Sequence, residues 1–140
     1  MRQAGIALLT FACAAAADVA TKLHAVAHPR VVYNGRPSNL VVRLWVSLLT
    51  IAVVFLVEQL GRRRGLGRLW GAWIAVGVLT AGTLSNGISS YVWSQGVPDF
   101  IRMSDGWVWN VADFEIVFGL LGTAASIVVA AMLAYARGRR

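Results

Sequence analysis

The sequence predicts an all-α integral membrane protein with four transmembrane helices in a single domain over residues 1–140. Hydrophobic residues make up 58% of the chain, charged residues only 14%, and the mean hydropathy is +0.66. Four apolar stretches, at about 5–23, 40–60, 69–92 and 111–136, are each long enough to cross a hydrocarbon core of about 30 Å. We expect helices because a helix satisfies its own backbone groups in lipid, whereas a lone chain this short cannot close a barrel.

Arginines beside the apolar stretches predict how the spans are oriented. Eight arginines and one acid fall at the two termini and in the middle connection. The arginines are Arg2, Arg62, Arg63, Arg64, Arg68, Arg137, Arg139 and Arg140, and the acid is Glu58. Because basic residues accumulate in cytoplasmic connections, the N and C termini and the middle connection are predicted to be cytoplasmic. The remaining charges balance on the outer side, so the net charge of +7 is a signal of topology and, secondarily, of contact with anionic membrane lipids.

Two other interpretations of the composition are less favoured. The basic charge does not indicate nucleic-acid binding, because the arginines flank apolar runs and are not interleaved with aromatics on a polar face. The first apolar stretch resembles a cleaved signal peptide in part, but its loss would remove the arginine asymmetry and a helix that packs beside the outer loop. The sequence has no His/Cys cluster with metal-ligand spacing and no phosphate-binding glycine loop, so no metal or cofactor is expected.

Polar residues lie within or against the apolar stretches, where they are costly and usually functional. Asp18 and Lys22 are four residues apart, so one helix face carries both and an ion pair is expected. Asn34 belongs to a Tyr-Asn-Gly turn signal. Asn86 lies in the polar end of the third span, where small and polar residues favour helix–helix packing.

A second polar group precedes the fourth span. Asn110 comes directly before the apolar run and Asp113 follows three residues later, which predicts capping of the helix start. Capping alone does not explain why Asp99, Asp113 and Glu115 gather where the chain re-enters the membrane. A functional site at the outer membrane surface is therefore expected here.

These elements, in this order, resemble the lipoprotein signal peptidase (signal peptidase II) family. The resemblance implies four helices with a small extracytoplasmic cradle that can contain β-strands, in the bacterial inner membrane. It also implies cleavage of the signal peptides of lipid-modified prolipoproteins by two aspartates. One is expected in an Asn-x-x-Asp-Arg box that ends span three, the other in an Asn-x-Ala-Asp box that opens span four.

The match to the family boxes covers most of the chain and is strongest from Gly82 to Gly119. Asp18 and Lys22 match the acid and lysine of the first span. The turn containing Asn34 resembles an asparagine–glycine box, although the preceding loop is short, which implies a reduced cradle. The later matches are Gly82 and Asn86, then Val97, Asp99, Phe100 and Ile101, then Asn110, Val111, Ala112 and Asp113, with Gly119 beyond them.

The sequence departs from the family at the Asn-x-x-Asp-Arg box. Counting forward from Asn86, the aspartate falls on Ser89; counting back from Asp99, it falls on Ser90. The arginine of the box is missing as well. Since a serine hydroxyl has no acid–base pKa near neutrality, it cannot replace a carboxylate in an aspartyl dyad.

Three functions are compatible with this pattern. The leading hypothesis is a non-catalytic family member that binds a transmembrane or signal-peptide helix, or forms a small subunit of a larger membrane complex, with Asp113, Asn86, Asn110 and Asp99 as polar anchors. The alternative is an active peptidase with an altered dyad, in which Asp113 works with Asp99 or with Asp18. The third is a four-helix scaffold in which the polar boxes only pack.

Overall fold

Four long helices form the protein, as the apolar stretches predict. The computed structural model describes residues 3–28, 30–35, 39–63, 65 and 68–138. The helices are α1 (Gln3–Val26), α2 (Leu40–Arg63), α3 (Trp70–Val92) and α4 (Val111–Gly138). All four are long and apolar enough to cross a membrane, which confirms a multi-pass membrane protein. Four of the eight arginines predicted to be cytoplasmic lie outside the described residues: Arg2, Arg64, Arg139 and Arg140.

The third helix is the centre of the bundle. It packs most extensively against α4 and α1, and less against α2. Much of α3 is buried, whereas the other three helices expose rows of leucine and valine, such as Leu49, Leu56 and Leu133. Exposed apolar side chains around a helix bundle are what a lipid environment requires. The polar residues of α3 therefore face its neighbouring helices.

Glycines allow α3 and α4 to approach closely. A side chain on Gly119 would place its Cβ 2.5 Å from the backbone nitrogen of Leu79. A side chain on Gly82 would collide with the carbonyl oxygen of Ala112 and with Glu115. Small residues at membrane helix interfaces permit this kind of backbone contact. The start of α4 is thereby held against the polar half of α3.

Short strands form a small cradle at one end of the bundle, where α1 and α3 end and α2 and α4 begin. The strands are β1 (Val32–Asn34), β2 (Val97–Asp99), β3 (Ile101–Arg102) and β4 (Val108–Trp109). β1 pairs antiparallel with β2, with Val32 opposite Asp99, and β3 pairs antiparallel with β4. Gly96 lies so close to the carbonyl of Asn34, at a φ of 109°, that only glycine fits there. The β-containing cradle implied by the resemblance is confirmed.

A buried glutamate holds the opposite end of the bundle together. Glu58 of α2 is 2% exposed and accepts hydrogen bonds from three side chains on three helices. Gln3 of α1 donates to Glu58 Oε1 at 2.7 Å, and Arg62 and Trp73 also donate to the carboxylate. Because a buried carboxylate is stable only when it is paired, this contact fixes α1, α2 and α3 relative to one another.

Candidate active site

The start of α4 is built by reciprocal capping between Asn110 and Asp113. The backbone nitrogen of Asp113 donates to Asn110 Oδ1 at 3.2 Å, and the backbone nitrogen of Asn110 donates to Asp113 Oδ2 at 2.9 Å. This is the geometry of a capping box, in which two N–H groups at a helix start are satisfied by side chains. The predicted capping is confirmed. It orients the Asp113 carboxylate at the positive end of the helix dipole.

The predicted ion pair between Asp18 and Lys22 is also confirmed. Lys22 Nζ lies 2.7 Å from Asp18 Oδ2, and both side chains are fully buried. Asp18 accepts two further hydrogen bonds, from the Ser85 hydroxyl and from the backbone nitrogen of Ala112 at 2.9 Å. Both of its oxygens are therefore occupied. Asp18 joins α1 to α3 and to the first turn of α4.

Lys22 has no free proton donor in this arrangement. Besides Asp18, its ammonium group donates to Asn86 Oδ1 at 2.8 Å and to Ser89 Oγ at 3.1 Å. Since a lysine ammonium has three N–H groups, these partners use all of them. Asn86 connects Lys22 to Asp113, because its Nδ2 donates to Asp113 Oδ1 at 2.8 Å. The first-span pair and the fourth-span aspartate thus share one network.

Asp99 lies beside the same helix start, at the end of β2. Its side chain is 6% exposed, and Asn110 Nδ2 donates to Asp99 Oδ1 at 2.6 Å. Burial raises the pKa of Asp99 to about 6, and the charges of Asp113 and Asp18 add to the increase. The hydrogen bond from Asn110 and the charge of Lys22 act in the opposite direction. Asn110 therefore contacts two carboxylates, one of which carries a proton more readily than an ordinary aspartate.

Neither serine of the altered box makes a side-chain hydrogen bond to Asp113 among the contacts that the structure describes. Ser89 is 3% exposed and accepts from Lys22, while the Ser90 hydroxyl donates back to the carbonyl of Gly87 at 2.8 Å. An aspartate at position 89 would lie beside the ammonium of Lys22. Whether a serine here removes catalysis stays a prediction.

Asn34, the remaining predicted site residue, lies in the cradle. It is paired in β1 opposite Val97 and lines a cavity of about 840 Å³ between β1 and the β3–β4 hairpin. Asp99, Asp105 and Trp107 also line this cavity. The structure therefore places Asn34 on the side of Asp99 that is open to the cradle, while Asp18 and Lys22 lie on the buried side.

Sequence reasoning missed several groups that hold the site together. The backbone nitrogen of Ala112 and the hydroxyl of Ser85 fix Asp18. Arg43 of α2 is close enough for its charge to interact with Asp113. Ser85 belongs to the polar end of the third span that the sequence indicates, on one face of α3 with Gly82, Asn86 and Ser89, but its partner Asp18 was not foreseen. Nothing comparable marks Arg43, because its proximity depends on how α2 packs.

One asparagine contacts two carboxylates at the cradle end of the bundle. The fold and the site thus define a four-helix membrane protein with an acidic polar site at one end. No group of three or more His, Cys, Asp or Glu side chains suited to a metal ion occurs among the described residues.

The comparisons with known proteins agree with this class. The sequence description of the family Signal peptidase (SPase) II matches residues 18–129. The chain therefore belongs to the signal peptidase II family.

A solved structure shares the fold. It is described as a bacterial membrane enzyme determined by the in meso method. The two chains superpose with a TM-score of 0.57 at 15% sequence identity, over 97% of this chain and 92% of the other. No curated protein sequence matches the chain significantly. At this identity the likeness concerns the fold alone.

Proposed function

We propose that this protein is a membrane-embedded aspartic endopeptidase that cleaves the signal peptides of lipid-modified prolipoproteins, with Asp99 and Asp113 as its catalytic pair. The observation that carries the proposal is the position of Asn110. Its side chain donates to Asp99 and its backbone nitrogen donates to Asp113, so one residue holds both carboxylates at the same site. Membership of the signal peptidase II family supports the reaction class.

The two carboxylates differ in a way that suits an aspartyl mechanism. Such a pair needs one protonated acid, which donates to the scissile carbonyl, and one carboxylate, which takes a proton from the attacking water. The raised pKa of about 6 suits Asp99 to the first role. Asp113 accepts two N–H hydrogen bonds at the positive end of α4, from Asn86 Nδ2 and from the backbone nitrogen of Asn110, and such donors stabilise a carboxylate. Asp113 is the better candidate for the base.

Asp18 is the less suitable partner for Asp113. Its two oxygens are occupied by Lys22, Ser85 and the backbone of Ala112, and its side chain is fully buried. A catalytic base must reach a water molecule and take its proton. Ser89 is also a poor candidate for a nucleophile, because a serine nucleophile needs a neighbouring base. The neighbouring Lys22 is paired with Asp18 and donates its remaining hydrogen bonds to Asn86 and to Ser89 itself.

The cradle cavity is the proposed binding place for the cleavage segment. It lies between β1 and the β3–β4 hairpin and reaches Asp99. An extended peptide fits beside a strand edge, where backbone groups provide hydrogen bonds. Trp107 on the hairpin is 63% exposed, as expected of an aromatic residue at a membrane interface. The signal segment would lie against the helices and present its end to the two aspartates.

A non-catalytic family member is the second candidate. The specific observation in its favour is that Ser89 and Ser90 stand where the family box is expected to carry aspartate and arginine. In that case the same cavity would hold a signal-peptide or transmembrane helix without cutting it, alone or as part of a membrane complex. We place the site at the outer surface of the bacterial inner membrane in both cases, because the arginine pattern orients the termini toward the cytoplasm.

The decisive experiment measures cleavage of a lipid-modified prolipoprotein by the purified full chain in liposomes, and binding of the same substrate in parallel. Asp99→Asn and Asp113→Asn should each reduce turnover by at least about 100-fold, the scale of general acid–base catalysis. Both variants should still bind substrate. Asp105→Asn is the control for loss of a cavity-lining carboxylate outside the proposed pair: it should leave the rate of cleavage of bound substrate unchanged, even if substrate binding weakens.

The outcomes separate the candidates. Substrate binding without cleavage by the unmodified protein would contradict the peptidase and support the binder. Absence of both, in protein that remains folded, would support a scaffold. Equal turnover by the wild type and Asp99→Asn would show that Asp113 has a different partner.

A further inference from the structure

A groove at the end of the bundle away from the cradle is unexplained by the proposed peptidase. It lies between the start of α3 and the last turns of α4 and has a volume of about 500 Å³. Gly71, Ala125, Val129 and Leu133 line its length. Val129 and Leu133 are 54% and 51% exposed, so the groove opens along the lipid-facing side of the helices.

Two arginines stand at the mouth of this groove. Arg68 precedes α3 and lies over the ring of Trp70, with 5.5 Å between its guanidinium carbon and the ring centroid. Arg137, near the end of α4, donates one hydrogen bond to the carbonyl of Gly65 at 2.9 Å. Both side chains are exposed and both line the groove. Since a guanidinium has five N–H groups, Arg137 keeps donors for a ligand.

Among the described residues, the charge around the mouth is positive and has no local counterion. Five of the six acidic residues lie toward the cradle. The sixth, Glu58, is already bonded to Arg62, Trp73 and Gln3. In addition, α3 begins after Leu69, whose side chain provides no cap for the first N–H groups of the helix. The mouth therefore favours an anion.

We propose that this groove binds one anionic phospholipid, with its phosphate between Arg68 and Arg137 and an acyl chain along Ala125, Val129 and Leu133. The groove is apolar along its length and carries two arginines at its mouth, which matches a lipid better than a second protein chain. Basic pockets between membrane helices bind anionic headgroups in this way. Arginine is suited to the role because its planar group can bind phosphate through two parallel hydrogen bonds.

The test is native mass spectrometry of the full chain in detergent, titrated with phosphatidylglycerol, with phosphatidylcholine and with glycerol phosphate. The wild type should retain phosphatidylglycerol in preference to phosphatidylcholine, and it should not retain glycerol phosphate, which lacks the acyl chains. Arg68→Gln with Arg137→Gln should weaken phosphatidylglycerol binding by about 25-fold, roughly fivefold for each arginine. Arg30→Gln with Arg63→Gln is the control, since it removes the same charge outside the groove.

A second variant checks the apolar channel. Ala125→Trp fills the groove from an exposed position and should reduce binding of the lipid while both arginines remain. Equal weakening by the groove and control pairs would overturn the proposal, because it would show a general charge effect. Equal retention of the two lipids would overturn it as well. Dimers that Ala125→Trp disrupts would assign the groove to a second copy of the chain.

Discussion

At the scale of the residue, Asn110 is the centre of the candidate site. It caps α4, is capped in return by Asp113, and donates from its side chain to Asp99. The spacing of Asn110 and Asp113 predicted the capping because it is local in sequence. The contact with Asp99 was not predictable from spacing, since it exists only once β2 has paired with β1 and brought its end to the helix start.

The titration of Asp99 should be visible in the stability of the protein. An aspartate in an unfolded chain has a pKa of about 3.9, whereas burial raises the pKa of Asp99 to about 6. Between these values the folded state binds more protons than the unfolded state, so this group makes the protein less stable as pH rises. Asp99→Asn removes the effect and should melt at a higher temperature than the wild type at about pH 7.

The difference in melting temperature between Asp99→Asn and the wild type should shrink as the pH falls to about 4. Thermal denaturation in one detergent across this range measures it. Asp105→Asn controls for the loss of one formal charge from the cradle. A difference for Asp99→Asn that stayed constant from about pH 4 to about pH 7 would show that Asp99 titrates alike in both states.

At the scale of the element, α3 determines the site. Gly82, Asn86 and Ser89 lie on one face at helical spacing, so the sequence could predict that they act together. It could not predict which neighbour each one meets. The structure shows that Gly82 meets α4, that Ser89 meets Lys22 of α1, and that Asn86 connects Lys22 to Asp113. Whether serine at position 89 breaks the dyad stays a prediction, since the hydrogen bond from Lys22 to Ser89 does not test catalysis.

Close packing of α3 against α4 should be sensitive to a single methyl group. In Gly119→Ala the new Cβ would meet the backbone of Leu79, which cannot rotate away as a side chain would. We expect a loss of about 1–3 kcal/mol in the free energy of unfolding, the usual effect of overpacking. Denaturant titration in mixed micelles measures it.

Gly5→Ala is the matched control for that substitution. Gly5 lies in α1, and a Cβ there would meet nothing within 4 Å. Alanine favours a helix over glycine by up to about 1 kcal/mol, so this variant should be neutral or more stable. Equal stability of the two variants would show that α3 and α4 can separate without cost.

At the scale of the whole molecule, the number and limits of the spans were predictable from hydropathy. Predicted and observed ends agree within a few residues, because apolar length and flanking arginines are local properties. The strand register of the cradle, the contacts of Glu58 and the groove beside Arg68 were not predictable. Each of them joins elements that are distant in the sequence and depends on how the helices pack.

The predicted orientation can be tested by labelling single cysteines in intact cells. Cys13 would first be replaced by alanine, since it is exposed. Ser104→Cys, in the turn of the β3–β4 hairpin, should react with a membrane-impermeant maleimide from outside. Arg63→Cys, at the end of α2, should react only after the membrane is permeabilised. The reverse pattern would place the candidate site in the cytoplasm.

The proposed peptidase uses Asp99 as the partner of Asp113, although positions 89 and 90 carry serine where the family box is expected to carry aspartate. The rate of prolipoprotein cleavage in liposomes by the wild type, by Asp99→Asn and by Ser89→Asp/Ser90→Asp decides whether this assignment is correct. We predict that the wild type cleaves the substrate and that Asp99→Asn does not. Aspartates at positions 89 and 90 should not be required for cleavage. An inactive wild type that gains cleavage from the restored aspartates would contradict the claim.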